Sequence, residues 1–148
     1  MTTISEADVE EIALKHLRDL GWDTAYGPDI ERDYSQVVFD DRLRAALANF
    51  NPELPDDALE SAFRKLTQPE GSSLETRNRV LHRFLVWGVE VEYRDGDRIR
   101  GGQVRVMDFD EPAANYYLAV NQSTVTERDH NHRPDIVLFV NGLPLAGC

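Results

Sequence analysis

The sequence predicts an α/β or α+β fold built on a mixed sheet. Two observations carry that expectation. As far as Gly88 the apolar residues recur at helical spacing, whereas from Val89 onward they alternate or run together as they do in strands. The coarse order is helix, short strand, three helices, then four or five strands, which suits helices packed against a sheet containing both strand directions.

The first element is "ISEADVEEIALKHLRDLGW", with Ser5 as N-cap and Glu6 and Asp8 in the first turn, where acid complements the helix dipole. Ile12, Ala13, Leu17 and Leu20 are the expected apolar stripe, and Gly21 the stop. "WDTAY" follows as a short strand and "GPDIERD" as a loop. Gln36 to Leu66 reads as two helical pieces separated near Pro52, with Pro55 in the first turn of the second. Leu43, Ala46, Leu47 and Phe50 line one piece; Leu59, Ala62, Phe63 and Leu66 line the other. "TQPEGSS" is a linker, and a third helical segment runs from the cap Ser73 to the stop Gly88. "VEVEY", the turn "RDGD" and "QVRVMDF" predict a hairpin. "YYLAVNQ" is a further strand and "DIVLFV" a buried one.

A chain of 148 residues, 41% hydrophobic, is expected to form one domain spanning 1–148 with a real core. Its net charge of -11 argues against coating nucleic acid through bulk positive charge, but not against a nuclease, whose centre needs carboxylates. The single cysteine, Cys148, allows no internal disulfide and points to a reducing, cytoplasmic setting. The acidic N-terminus is unlike a signal peptide, and no apolar run approaches the ~18 residues of a membrane helix.

The end of the chain, "HNHRPDIVLFVNGLPLAGC", carries the chemistry. Asp135 opens an apolar run, where a carboxylate either caps a strand end in water or is held by a partner such as a divalent metal. Asn141-Gly142 is a turn signal with two possible registers. A two-residue turn pairs Val140 with Leu143 and sets Asp135 opposite position 148. A three-residue turn shifts the pairing by one and sets Asp135 opposite the next position. Pro144, lacking an N–H, fits an interrupted ladder.

"HNHRPDIVLFVNGLPL", "AVNQSTVTE" and "LETRNRVLHRFLVWGVEVEYR" resemble the N-terminal part of the R subunit of type I restriction enzymes. So do "SEADVEEIALKHLRDLGW…GPDI", "RLRAALANFNPELPDDALESAFRKLT" and "RVMDFDEPAANYYLAVNQ", and the similarity covers essentially the whole chain. The resemblance implies a restriction-endonuclease-like mixed sheet flanked by helices and a magnesium-dependent hydrolase of the PD-(D/E)xK kind. It also implies duplex DNA as substrate, cut once an ATP-driven translocating motor stalls, and methylation and specificity subunits as partners. ATP would serve only the motor, which this chain is expected to lack. Pro134-Asp135 matches the "PD". The strand after "NGLPL" would carry an acid, one residue and a lysine, so "LPLAGC" is expected to stop just before that acid and leave the last strand and the metal site incomplete. The match of "ADVEEIALKHL" assigns Glu10, rather than Glu11, as a first-helix carboxylate reaching the metal or its water, beside the plain alternative of a solvated helix face. Asp135 and Glu10 are thus the expected catalytic and metal-binding residues, close in space and insufficient by themselves to cut DNA.

Other residues carry weaker signals. His130 and His132 share a face if extended, yet have no further Cys or His nearby and sit in what reads as a loop. Arg94, Arg98, Arg100 and Arg105 on the hairpin, and Arg77, Arg79 and Arg83 on a helix, could contact phosphate, or be surface charge balanced by Glu90, Glu92, Asp95 and Asp97. Two readings from other classes compete with the nuclease: a non-catalytic acidic module that mimics DNA or binds a subunit, and a degenerate remnant. The 16 Lys and Arg interleaved with the acids speak against a DNA mimic.

Overall fold

The computed structural model describes residues 3–27, 38–121, 125–127, 130–132 and 136–147. Two compact units emerge, one formed by 1–39 with 116–148 and the other by 40–115. The mixed α/β fold expected from the change of period is present.

The first unit holds helix α1 (Glu6–Asp19) and strands β1 (Asp23–Tyr26), β4 (Tyr117–Asn121), β7 (Ile136–Val140) and β8 (Leu143–Gly147), with a sheet order β1-β4-β7-β8. β1 lies parallel to β4, while β4–β7 and β7–β8 are antiparallel, so the sheet is mixed. Parallel neighbours need a long crossover, and here the crossover contains the whole second unit. Leu118, Val120, Val137 and Phe139 are buried on one sheet face with Phe39 against them; Ala119 and Ile136 are buried on the other beneath Leu14. Apart from Ala119, which buries a single methyl, each such side chain contributes roughly 1.5–3 kcal/mol before chain entropy is subtracted.

Helix α1 starts where its cap chemistry dictates. Ser5 Oγ accepts from the Asp8 N–H and the Asp8 carboxylate accepts from the Ser5 N–H at 2.9 Å, a reciprocal capping box. Its buried face differs from the expected stripe. Ile12 and Leu20 are exposed, and Leu14 is buried with Ala13 and Leu17 beside it. Periodicity admitted both arcs; the sheet selects the arc centred on Leu14. Strands β5 (Val125–Glu127) and β6 (His130–His132) pair antiparallel, so the "HNH" stretch is a strand and not the loop expected.

The second unit contains α2 (Asp40–Phe50), α3 (Asp56–Thr67), α4 (Leu74–Trp87) and the hairpin β2 (Val89–Asp95)–β3 (Arg98–Val104). Ala58, Ala62, Phe63 and Leu66 of α3 are buried, and α3 packs on α2, β2 and β3. Pro55 is the N-cap of α3 and not a residue of its first turn. Ser73 and Gly88 bound α4 as their chemistry suggested. Gly88 is required twice over: its φ is +84°, and a Cβ there would meet the Val104 carbonyl oxygen at 2.8 Å. The second hairpin strand begins at Arg98, earlier than "QVRVMDF" suggested, because the Gly96-Asp97 turn pairs Asp95 directly with Arg98.

Candidate active site

Glu10, Ala13, Leu14 and Leu17 follow one another at i, i+3, i+4 and i+7 on α1. Leu14 is packed with Ala119 and Ile136, so this is the face the helix turns to the sheet. Residues 20–22 return the chain directly into β1, and the Trp22 ring rests 5.0 Å from that of Tyr117, at the start of β4. Going back along α1 from Trp22 to Leu14 therefore leads away from Tyr117 toward the other end of the sheet, where Tyr26, Asn121 and Ile136 lie in register. Glu10 is one turn further on.

There its carboxylate is half sequestered. Glu10 Oε1 is buried and has no hydrogen-bond partner among the described residues. An unsatisfied buried polar atom costs about 1–3 kcal/mol, more for a charged one, and this one belongs to a residue that is itself partly exposed. Asp135 and Pro134 lie outside the described residues, as does Cys148. What is described is the residue that follows Asp135: Ile136, packed against Leu14, the residue one helical turn from Glu10. Among the described residues no group of three or more His, Cys, Asp or Glu could hold a metal ion.

The strand that returns beside β7 resolves the question of register. Asn141 and Gly142, at φ +52° and +85°, form the two-residue turn, pairing Val140 with Leu143 and Phe139 with Pro144. The ladder then slips, and Leu138 pairs with Ala146 and Val137 with Gly147, leaving Leu145 as an extra residue. Beyond this bulge the register equals that of a three-residue turn. The sequence offered the two as alternatives; the structure combines them, with Pro144 immediately before the break. Asn141, 1% exposed, also ties the turn to the sheet: its Oδ1 accepts from the Tyr116 N–H at 2.8 Å and its own N–H donates to the Tyr116 carbonyl at 2.9 Å.

Most of the arginines singled out in the sequence are occupied locally. Arg100 meets Asp95 at 2.8 Å, Arg105 meets Asp108 at 3.4 Å, Arg79 meets Glu75 at 3.0 Å, and Arg77 donates to the Gly71 carbonyl at 3.0 Å. These contacts support surface charge balance. Arg83 instead lines a cleft with Arg64 and Lys65 of α3. Sequence reading missed the last two because they sit in a different helix. Among the described residues no helix is long and apolar enough to cross a membrane.

Comparison with known proteins gives this geometry a context. Residues 3–147 match the family model described as "Type I restriction enzyme R protein N terminus". The chain is 37% identical over 152 aligned residues to the type I restriction enzyme HindI endonuclease subunit of Haemophilus influenzae, covering 97% of this chain. It is 26% identical over 147 residues to a protein of Methanocaldococcus jannaschii described as a type I restriction enzyme MjaIXP endonuclease subunit, covering 93% of this chain. In both cases the chain spans 14% of the relative's length. With nearly every residue inside one family match, this chain belongs to the type I restriction enzyme R protein N-terminus family.

Proposed function

We propose that this chain is the N-terminal part of a magnesium-dependent nuclease that hydrolyses duplex DNA as one piece of a type I restriction enzyme. The observation that carries the reading is the buried Glu10 Oε1, without a hydrogen-bond partner among the described residues, at the end of the sheet adjoining Ile136. Carboxylate oxygen is the donor a hard divalent cation takes, and a buried carboxylate left without a partner fits a ligand better than a structural role.

In this reading Glu10 and Asp135 both hold the ion. The bulge at Leu145 matters here. If the Val137–Gly147 register continued for two residues, Asp135 would stand opposite the position after Cys148, where the family resemblance expects the acid of the Glu-x-Lys strand. Magnesium, when bound, supplies positive charge to offset the charge developing on the scissile phosphate. The carboxylates orient that charge, and the lysine expected two residues later positions the attacking water. The ATP-driven motor and the contacts to methylation and specificity subunits belong, in this proposal, to the remaining length of the assembly.

The test is incubation of supercoiled plasmid with magnesium and either this chain or a version extended through the Glu-x-Lys strand of its relatives. The 148-residue chain should leave the plasmid intact, because two carboxylates without the second strand hold magnesium loosely. The extended version should nick or linearise it, and Asp135→Ala and Glu10→Gln should each abolish this. Cleavage by the extended protein that survives both substitutions would sink the proposal.

A further inference from the structure

Arg64 and Lys65 at the C-terminal part of α3 and Arg83 near the C-terminal end of α4 line one cleft of about 490 Å³. Glu70 is the one carboxylate in its wall. The chain as a whole carries a net charge of -11, so an excess of cations around a concavity runs against its overall character. The excess is local to the cleft: residues 40–115 hold eleven of the sixteen Lys and Arg but also fifteen of the 27 Asp and Glu. Arg64 feels Glu60 electrostatically, but among the described residues neither it nor Lys65 nor Arg83 forms a close ion pair like those of Arg79 and Arg100. Lys65 Nζ donates to the Glu90 carbonyl at 2.7 Å, which directs its charge without neutralising it.

Two depressions adjoin the cleft along α3, and both are acidic. One sets Lys65 beside Glu90 and Glu92; the other sets Arg64 and Arg94 beside Asp57, Glu60 and Glu92, so acids outnumber cations by one in each. An anion is therefore favoured in the α3–α4 cleft and disfavoured on either side. Two guanidinium forks and an ammonium match the oxygens of a tetrahedral phosphate. Ser61 and Gln68 add neutral donors, and Val80 and Phe84 give an apolar patch suited to a sugar.

We propose that this cleft binds a backbone phosphate of duplex DNA, through Arg64, Lys65 and Arg83, at a site separate from the Glu10 carboxylate. The choice of duplex as the source of the phosphate rests on the nuclease reading; the cleft's chemistry does not. Phosphate contacts of this kind fix position and carry no sequence information, which suits a nuclease part whose site choice is made elsewhere.

The experiment is fluorescence anisotropy of a short labelled duplex with the 148-residue chain in EDTA over a range of salt, so that cleavage plays no part and failure of the metal site leaves the measurement intact. The double variant Arg64→Glu/Arg83→Glu should weaken binding by about tenfold or more and lower the log–log salt slope by about two. Arg79→Glu, on the same helix but outside the cleft, is the control. Circular dichroism checks that all variants fold. Lack of duplex binding by the unaltered chain, or a double variant within about twofold of the control, overturns the proposal. A second arm titrates inorganic phosphate and follows arginine side-chain resonances. A response of Arg64 and Arg83 to phosphate without duplex binding identifies a small phosphate ligand and overturns duplex as the source.

Discussion

The two units treat their buried polar atoms differently. In the second unit, Asn51 is 1% exposed and every side-chain atom of it is used: Nδ2 donates to the Leu47 and Arg105 carbonyls, both at 2.9 Å, and Oδ1 accepts from the Arg105 N–H at 2.8 Å. The amide thus closes the end of α2 and substitutes for a strand partner at Arg105, 54 residues away. Asn141 does the equivalent in the first unit, but that unit also holds Glu10, whose buried oxygen has no partner among the described residues. A neutral amide with its bonds made stabilises a fold, whereas a carboxylate oxygen withdrawn from water without them costs stability. The two units therefore differ in whether their buried side-chain polar atoms are satisfied among the described residues.

The comparison can be broken most directly at Asn51. Asn51→Ala should destabilise the second unit by roughly 2–4 kcal/mol, since both backbone groups of Arg105 lose their partner; a chemical-denaturation midpoint unchanged from the parent chain would contradict this. Asn141→Ala should cost about 2 kcal/mol, combining the lost bond at Tyr116 with a strained positive φ, while Asn141→Asp, which keeps the acceptor, should cost less. Glu10→Leu sharpens the contrast by its opposite sign. It should raise stability by about 1 kcal/mol, whereas a loss would mean that the carboxylate is structurally satisfied. The smallest effects are in acid. The Ser5 hydroxyl, and then its backbone N–H, hold the Asp8 carboxyl below its ordinary 3.8, and the Arg44 guanidinium holds Glu60 below its ordinary 4.5. A depressed folded-state value means that each contribution is present above the ordinary value and lost as pH falls through the folded one. Unfolding midpoints should therefore fall on acidification below about pH 4, with Ser5→Ala flattening the first unit's share and Arg44→Ala the second's.

Much was legible in the sequence because local physics decides it. Ser5 and Ser73 as caps, Gly88 as a stop, the Asn141-Gly142 turn and the alternation of "VEVEY" each follow from one residue's chemistry or from a short period. Where two readings shared the same local energy, the sequence left both open. For α1, however, one stripe was read, Ile12, Ala13, Leu17 and Leu20, and the sheet beneath buries Leu14 with Ala13 and Leu17 instead, leaving Ile12 and Leu20 exposed. The value of Glu10 depends on the same sheet: helical spacing puts it on the face of Leu14, but only the burial of its oxygen separates it from a solvated acid.

The sequence by itself determined the main helices and the strands of the mixed sheet, the caps Ser5 and Ser73 and the family, since each rests on residues within a few positions of one another or on their order along the chain; it did not determine the β5–β6 pair or the cap of α3. Tertiary structure alone decided three things. It placed the extra residue of the returning strand at Leu145 instead of in the turn, because pairing with β7 decides where a mismatch is absorbed. It made β1 a parallel neighbour of β4 across the whole second unit, a contact no local pattern encodes. And it brought Arg64 and Lys65 to the same cleft as Arg83, because charges on separate helices meet only once the chain has folded.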